Sequence, residues 1–210
     1  QSKMSRRNFL KTAGIGCGAA ALLCVGGGAL ASLPPAVDFY ETPAGDAAAD
    51  GKRVLVTYAS KAGSTAEVAE AIAKRLSDRG MAVDVSRIEH VADLSGYGAV
   101  VVGSCIRMGR WLPAAVKFVE KNQAALKTVP TSFFQVCTAI RKNTPEARSE
   151  AEGYMDNVRT LVEPASAGVF AGKVDFSKLS LLDRTIAKGV GSEEGDWRDW
   201  DAIRAWADSI

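Results

Sequence analysis

Arg53-Val54-Leu55-Val56-Thr57-Tyr58-Ala59-Ser60-Lys61-Ala62-Gly63-Ser64-Thr65 is an apolar, β-branched run that passes through a short hydroxyl-rich turn. Arg53–Tyr58 reads as a buried strand. From Thr65 to Arg79, Val68, Ala69, Ile72, Ala73 and Leu76 fall on one face at helical spacing, and Gly80 follows as a natural stop. A strand running straight into a helix is the first unit of an alternating fold, and the rest of the chain repeats it. Ala82–Ile88 and Ala99–Gly103 read as strands two and three, Leu112–Leu126 as a helix, and Thr131–Val136 as strand four. Pro145–Leu161 then reads as a helix, Ala167–Ala171 as strand five, and Trp200–Ser209 as a final helix with Ile203 and Trp206 inward. Five strands interleaved with helices predict a doubly wound parallel sheet covered on both faces. Ligands of such folds sit beyond the carboxyl ends of the strands, where the winding reverses. The loops after strands one, three and four are therefore the places to look.

The loop after strand one holds Ser60, Lys61, Ala62, Gly63, Ser64 and Thr65. It has neither the G-K-[ST] of a nucleotide triphosphatase nor G-x-G-x-x-G, so neither that class nor a nicotinamide dehydrogenase is indicated. Its hydroxyls, its one glycine and the helix N-terminus describe a cradle for a single phosphate. The competing reading is helix capping, since Ser64-x-x-Glu67 has the form of a capping box. Ser60-x-Ala62-Gly63-x-Thr65 resembles the T-x-T-G-x-T phosphate loop of flavodoxins. Ser60 stands for the first threonine and Ala62 for the second, which removes one hydroxyl worth about 1 kcal/mol net.

Gly103-Ser104-x-Ile106-Arg107-x-Gly109 with Trp111, then Phe118-Val119-x-Lys121, Ala139-x-Arg141-Lys142 and Thr144-Pro145, are similar to the flavodoxin-type menaquinone-dependent protoporphyrinogen oxidases. That resemblance covers Lys52 to the C-terminus. It implies a flavodoxin-like sheet in the order 2-1-3-4-5 and FMN held by Ser60–Thr65. It also implies contacts to the flavin ring from Ser104, Cys105, Ile106, Arg107, Met108 and Gly109, and from Thr138, Ala139 and Arg141. Electrons would pass from a reduced substrate through FMN to a quinone or a membrane redox partner. No side chain stands out as an acid or base, so the catalytic residues are left unassigned. Two alternatives remain open: an electron-carrier subunit with no substrate of its own, and a flavin-free scaffold.

Cys105 and Cys137 end neighbouring strands and read either as a redox pair or as small buried hydrophobes. His90, the only histidine, follows strand two and reads as structural; with no clustered Cys or His, no metal site is expected. Lys173–Gly191 places Leu179, Leu182, Ile186 and Val190 on one stripe with Lys178, Arg184 and Lys188 elsewhere. It is similar to the insertion of the oxidase group, and it reads equally as a membrane-touching or substrate-covering helix or as an extra packed one.

Among 210 residues there are 26 Lys+Arg and 24 Asp+Glu, 47% hydrophobic, which excludes a wholly disordered chain and gives no case for nucleic-acid binding. The balance hides a split. Lys3, Arg6, Arg7 and Lys11 stand in residues 1–31 without an acid, leaving 22 basic against 24 acidic groups in the remainder. Ser5-Arg6-Arg7-Asn8-Phe9-Leu10-Lys11 resembles a twin-arginine export signal, which implies the twin-arginine export machinery as a partner and transport in the folded state. Thr12–Leu30 contains six glycines and, as a helix, would span roughly 28 Å, enough for a bilayer core. Ala29-Leu30-Ala31 offers a cleavage site before Ser32. Release by cleavage and retention as an anchor both remain, and either puts the protein at the extracytoplasmic face of the cytoplasmic membrane. Residues 32–51, rich in Ala, Pro, Gly and Asp, read as a tether to a domain spanning 52–210.

Overall fold

The computed structural model describes residues 37, 39–42, 53–189 and 191–210. The twin-arginine segment, its cleavage site, Cys17, Cys24, Val190 and most of the 32–51 tether lie outside the described residues. The described chain divides into a body, Val37–Asp175 with Glu193–Ile210, and an excursion, Phe176–Ser192.

In the body, β1 (Arg53–Ala59) leads through Ser60–Gly63 into α1 (Ser64–Asp78), and Gly80 ends that helix with a φ of +84°. Next come β2 (Ala82–Arg87), β3 (Ala99–Arg107), β4 (Arg110–Trp111) and α2 (Pro113–Leu126). Beyond them lie β5 (Thr131–Cys137), α3 (Pro145–Gly153), α4 (Asp156–Arg159) and β6 (Ser166–Ala171). β2, β1, β3, β5 and β6 pair in parallel in that order, the expected 2-1-3-4-5 once the short β4 is set aside.

Alternation along β1 explains the layers. Val54, Val56 and Tyr58 pack with Val68, Ile72 and Leu76 of α1 and with Ile203 and Ala207 of α6 (Trp200–Asp208). Leu55 and Ala59 face the opposite way, onto Leu112, Ala115 and Val119 at α2 and Met155 and Val158 near α4. Each such fully buried aliphatic side chain is worth about 1.5–3 kcal/mol before entropy is charged against it.

Two expectations are corrected. Strand three does not end at Gly103 but continues to Arg107. A Cβ at Gly103 would overlap the Phe134 ring of β5, so this glycine serves strand packing rather than a turn. Ile106 and Arg107 then pair antiparallel with Trp111 and Arg110, making a hairpin out of what reads as an open loop. The single helix expected over Pro145–Leu161 is broken after Gly153. There Tyr154 and Met155 bond back three residues rather than four, and Met155 drops fully into the core. Past β6, the two-residue strands β7 (Lys173–Val174) and β8 (Gly195–Asp196) pair antiparallel, so the chain leaves and re-enters the body at adjacent points.

Within the excursion, α5 (Leu181–Gly189) has Ser180 at its start. The Ser180 Oγ accepts from the Asp183 N–H at 3.0 Å. Of the expected stripe, Leu182 and Ile186 are exposed on α5, as is Leu181 beside them, while Leu179 precedes the helix and is half-buried. Among the described residues no helix is long and apolar enough to cross a membrane.

Candidate functional site

Three loops meet at the carboxyl end of the sheet. In the first, Gly63 adopts a φ of +88°, a left-handed conformation that side-chain-bearing residues rarely take, and hands the chain to α1. Its N–H donates to Ser60 Oγ at 3.2 Å, folding the loop upon itself. The capping box is not formed: no side chain caps α1. Ser64 Oγ instead accepts from the Lys173 N–H at 3.0 Å, and Glu67 pairs with Arg198 at 2.5 Å. The first-turn amides of α1 therefore remain without a side-chain acceptor. Beside them, Thr65 is fully buried and its Oγ1 has no hydrogen-bond partner. A buried hydroxyl left unpaired costs about 1–3 kcal/mol, and here it stands at a helix N-terminus suited to an anion. Orphaned donor, open helix start and left-handed glycine fit the phosphate of FMN.

The second loop is the β3–β4 hairpin. Its two turn residues, Met108 at φ +52° and Gly109 at φ +70°, match the positive-φ pair of a tight hairpin turn. Methionine in that conformation is strained by about 1–2 kcal/mol, and its side chain is 93% exposed. Tyr154 lies against the other turn residue, 3.4 Å from where a Cβ on Gly109 would stand. The hairpin is anchored from below. Trp111 is buried edge-on against Phe133, with ring centroids 5.4 Å apart, and its Nε1–H donates to Gln135 Oε1 at 3.0 Å. Gln135, itself wholly buried, donates onward to the Ala151 carbonyl of α3. One amide thus ties the hairpin to the helix across β5.

The third loop, Thr138–Thr144 after β5, completes a cleft of about 440 Å³. Ile106, Met108, Gly109, Thr138, Ala139 and Arg141 line it, as do Cys137, Lys142, Thr144, Ala147 and Tyr154. Six of the nine residues expected to contact a ring are brought together there. Ser104 is not. Its buried hydroxyl accepts from the Leu112 N–H at 3.0 Å and donates to the Cys105 carbonyl, bracing the return of the hairpin. Cys105 and Arg107 also stay off the cleft wall. Tyr154 is the main residue the sequence reading missed; the signal available was an aromatic directly after Gly153, where the helix breaks.

The first two loops touch. The Lys61 backbone amide and the Lys61 and Arg107 charges all act on the Cys105 thiol to favour its ionised form. Burial nevertheless dominates and pushes the thiol up to about 11. Burial raises Cys137 as well, and both are free cysteines. The Tyr154 phenol is raised to about 12, first by its hydrogen bond to Glu150 Oε1 at 2.6 Å and then by burial, so it stays protonated at neutral pH. Exposed Arg141 and Lys142 rim the cleft with positive charge. His90 sits elsewhere, its Nδ1 2.9 Å from Glu41 Oε1. Among the described residues no group of His, Cys, Asp and Glu could hold a metal ion.

Comparison with known proteins agrees with this fold. Residues 3–23 match the twin-arginine translocation pathway signal sequence. The protoporphyrinogen IX dehydrogenase [quinone] of Escherichia coli strain K12 is 26% identical over 172 residues, covering 75% of this chain and 94% of that protein. A Leishmania major protein of the same name is 27% identical over 176 residues, covering 76% and 75%. Among solved structures, a short-chain flavodoxin associated with a non-canonical PDU bacterial microcompartment overlays with a TM-score of 0.51 at 17% identity, covering 75% of this chain and 95% of that one. Residues 55–201 match the flavodoxin domain model, and the chain belongs to that family.

Proposed function

We propose that this protein is an exported FMN-dependent oxidoreductase that takes electrons from a reduced substrate and passes them to a quinone or a membrane redox partner. The observation that carries the reading is the unpaired Thr65 hydroxyl at the start of α1, at the same sheet end as the cleft between the loops after β3 and β5. Bound FMN would supply the two-electron chemistry. Ser60, Lys61, Ala62, Gly63, Ser64 and Thr65 would hold its phosphate. Ile106, Met108, Gly109, Thr138, Ala139 and Arg141 would border its ring, with Cys105 and Arg107 behind them joining the two ends of the site. Arg141 and Lys142 would keep negative charge in the cleft favourable, while Gln135 and Trp111 fix the hairpin.

The quinone-linked names of the relatives support an enzyme over a carrier. The export signal favours action at the extracytoplasmic face, by a domain spanning 52–210 behind a leader at 1–31, either cut after Ala31 or kept as an anchor.

Purification from the native membrane followed by a visible spectrum tests the cofactor: a flavin spectrum with FMN released on denaturation is expected, and a colourless, flavin-free preparation refutes it. Anaerobic addition of quinone with a reduced donor tests the activity. Sustained turnover is expected, whereas one stoichiometric oxidation would indicate a carrier.

A further inference from the structure

Residues 37 and 39–42, just behind the export leader, read as tether in the sequence but are docked on the body. Thr42 donates its N–H to the Val85 carbonyl at 2.9 Å and accepts the Val85 N–H through Oγ1 at 2.8 Å. Glu41 Oε1 accepts from the Arg87 N–H at 2.7 Å, and the Arg87 guanidinium lies 4.4 Å over the Phe39 ring. These contacts cover the outer edge of β2, beside which no strand runs among the described residues. The segment then turns toward the site. The Tyr40 carbonyl accepts the hydroxyl of fully buried Tyr58 at 2.7 Å, and Val37 Cγ1 stands 3.1 Å from where a Cβ on Gly63 would be. Edge cover alone explains Glu41 and Thr42. It does not explain why Val37 lies on the one glycine whose left-handed backbone opens α1.

We propose that the Val37–Thr42 segment is a strap that positions the phosphate loop, with Val37 as a positioning residue holding Gly63 and the start of α1 in anion-binding form. The inference rests on the reading that this loop binds the FMN phosphate, and it concerns residues outside the 55–201 flavodoxin match. Its physical logic is preorganisation: a loop already held in its binding shape loses less freedom when the anion arrives.

The test compares FMN with riboflavin, which lacks the phosphate, by flavin fluorescence titration of the full chain and of its Val37→Gly variant. The wild type is expected to prefer FMN. Val37→Gly is expected to weaken FMN about tenfold, equal to about 1.4 kcal/mol, and to leave riboflavin unchanged. Amide hydrogen exchange at Gly63–Thr65 in the flavin-free variant is expected to speed up while exchange at Val85 does not. Thr42→Val, which removes the Oγ1 bond to the Val85 N–H and loosens the strap on β2, should weaken FMN in the same direction. Unaltered FMN affinity and loop exchange in Val37→Gly, beside a wild type that prefers FMN, overturns the strap while sparing the phosphate reading. Tighter FMN binding by the variant also overturns it, since the strap would then be an obstruction. A wild type that binds both flavins equally removes the phosphate reading, and the strap with it.

Discussion

Replacing Thr65 by valine separates a phosphate ligand from a merely structural hydroxyl, because the two roles predict opposite signs. Thr65 is fully buried and its Oγ1 is unpaired. Valine keeps the branched shape and removes only the unsatisfied polar atom. Without flavin, the variant should gain part of the roughly 1–3 kcal/mol that an unpaired buried hydroxyl costs. About 1–2 kcal/mol corresponds to a rise of roughly 2–8 °C in thermal midpoint for a body of this size. With FMN the sign reverses. A hydrogen bond to a charged oxygen is worth about 1.5–3 kcal/mol, so Kd should rise by roughly 10–100-fold. Thermal melts of flavin-free and FMN-saturated protein, together with fluorescence titration, read both effects. A variant that is less stable without flavin and binds FMN unchanged would refute the argument, showing that the hydroxyl serves the fold alone.

Four further outcomes follow from particular contacts. Met108→Asn should stabilise the protein by about 0.5–1 kcal/mol in urea titration, since asparagine tolerates the φ of +52° that strains methionine and suits the hairpin turn. Gln135→Leu should cost about 1–3 kcal/mol by the same measurement, because it leaves the Trp111 Nε1–H buried without its acceptor, while the Ala151 carbonyl keeps only the Tyr154 N–H. Cys105, pushed up to about 11, should hold roughly one thiolate in a thousand at pH 8 and label slowly with iodoacetamide, where rapid labelling would contradict its burial. The strap should loosen in acid. Burial raises the Glu41 carboxyl, but the Arg87 N–H, His90 and Ser86 together hold it below its ordinary 4.5. A depressed carboxylate contributes its full stability above the unfolded value and loses it as pH falls through the folded one. The protection of the Arg87 amide, its exchange rate relative to that of an unstructured peptide at the same pH, should therefore fall below about pH 4.5, and protection that stays constant there would contradict the bond.

Much of this was legible in the chain because its signals are local. The β-branched run before Ser60 and the helical spacing after it fix a strand–turn–helix unit whatever surrounds them, and four repetitions imply the parallel sheet. The loop residues Gly63 and Thr65 could be named because hydroxyls and a glycine at that handover carry their chemistry with them. The Ser104 hydroxyl illustrates the limit. In sequence it is equivalent to the hydroxyls of the phosphate loop, yet its neighbours across the fold, Leu112 and the hairpin, take up both its bonds. Gly103 likewise reads as a turn glycine until the Phe134 ring of another strand occupies the place of its side chain.

The sequence by itself determined the alternation of strands and helices and the export segment, since each is written in neighbours within a few residues; the strand order and the expected anion site came through the family resemblance. Only the tertiary structure decided which of those residues face the cleft, that Tyr154 and Gln135 shape it, and that Val37 reaches Gly63. Those relations join segments separated by tens of residues, and they arise from side chains competing for the same space and the same hydrogen-bond partners, which no local periodicity encodes.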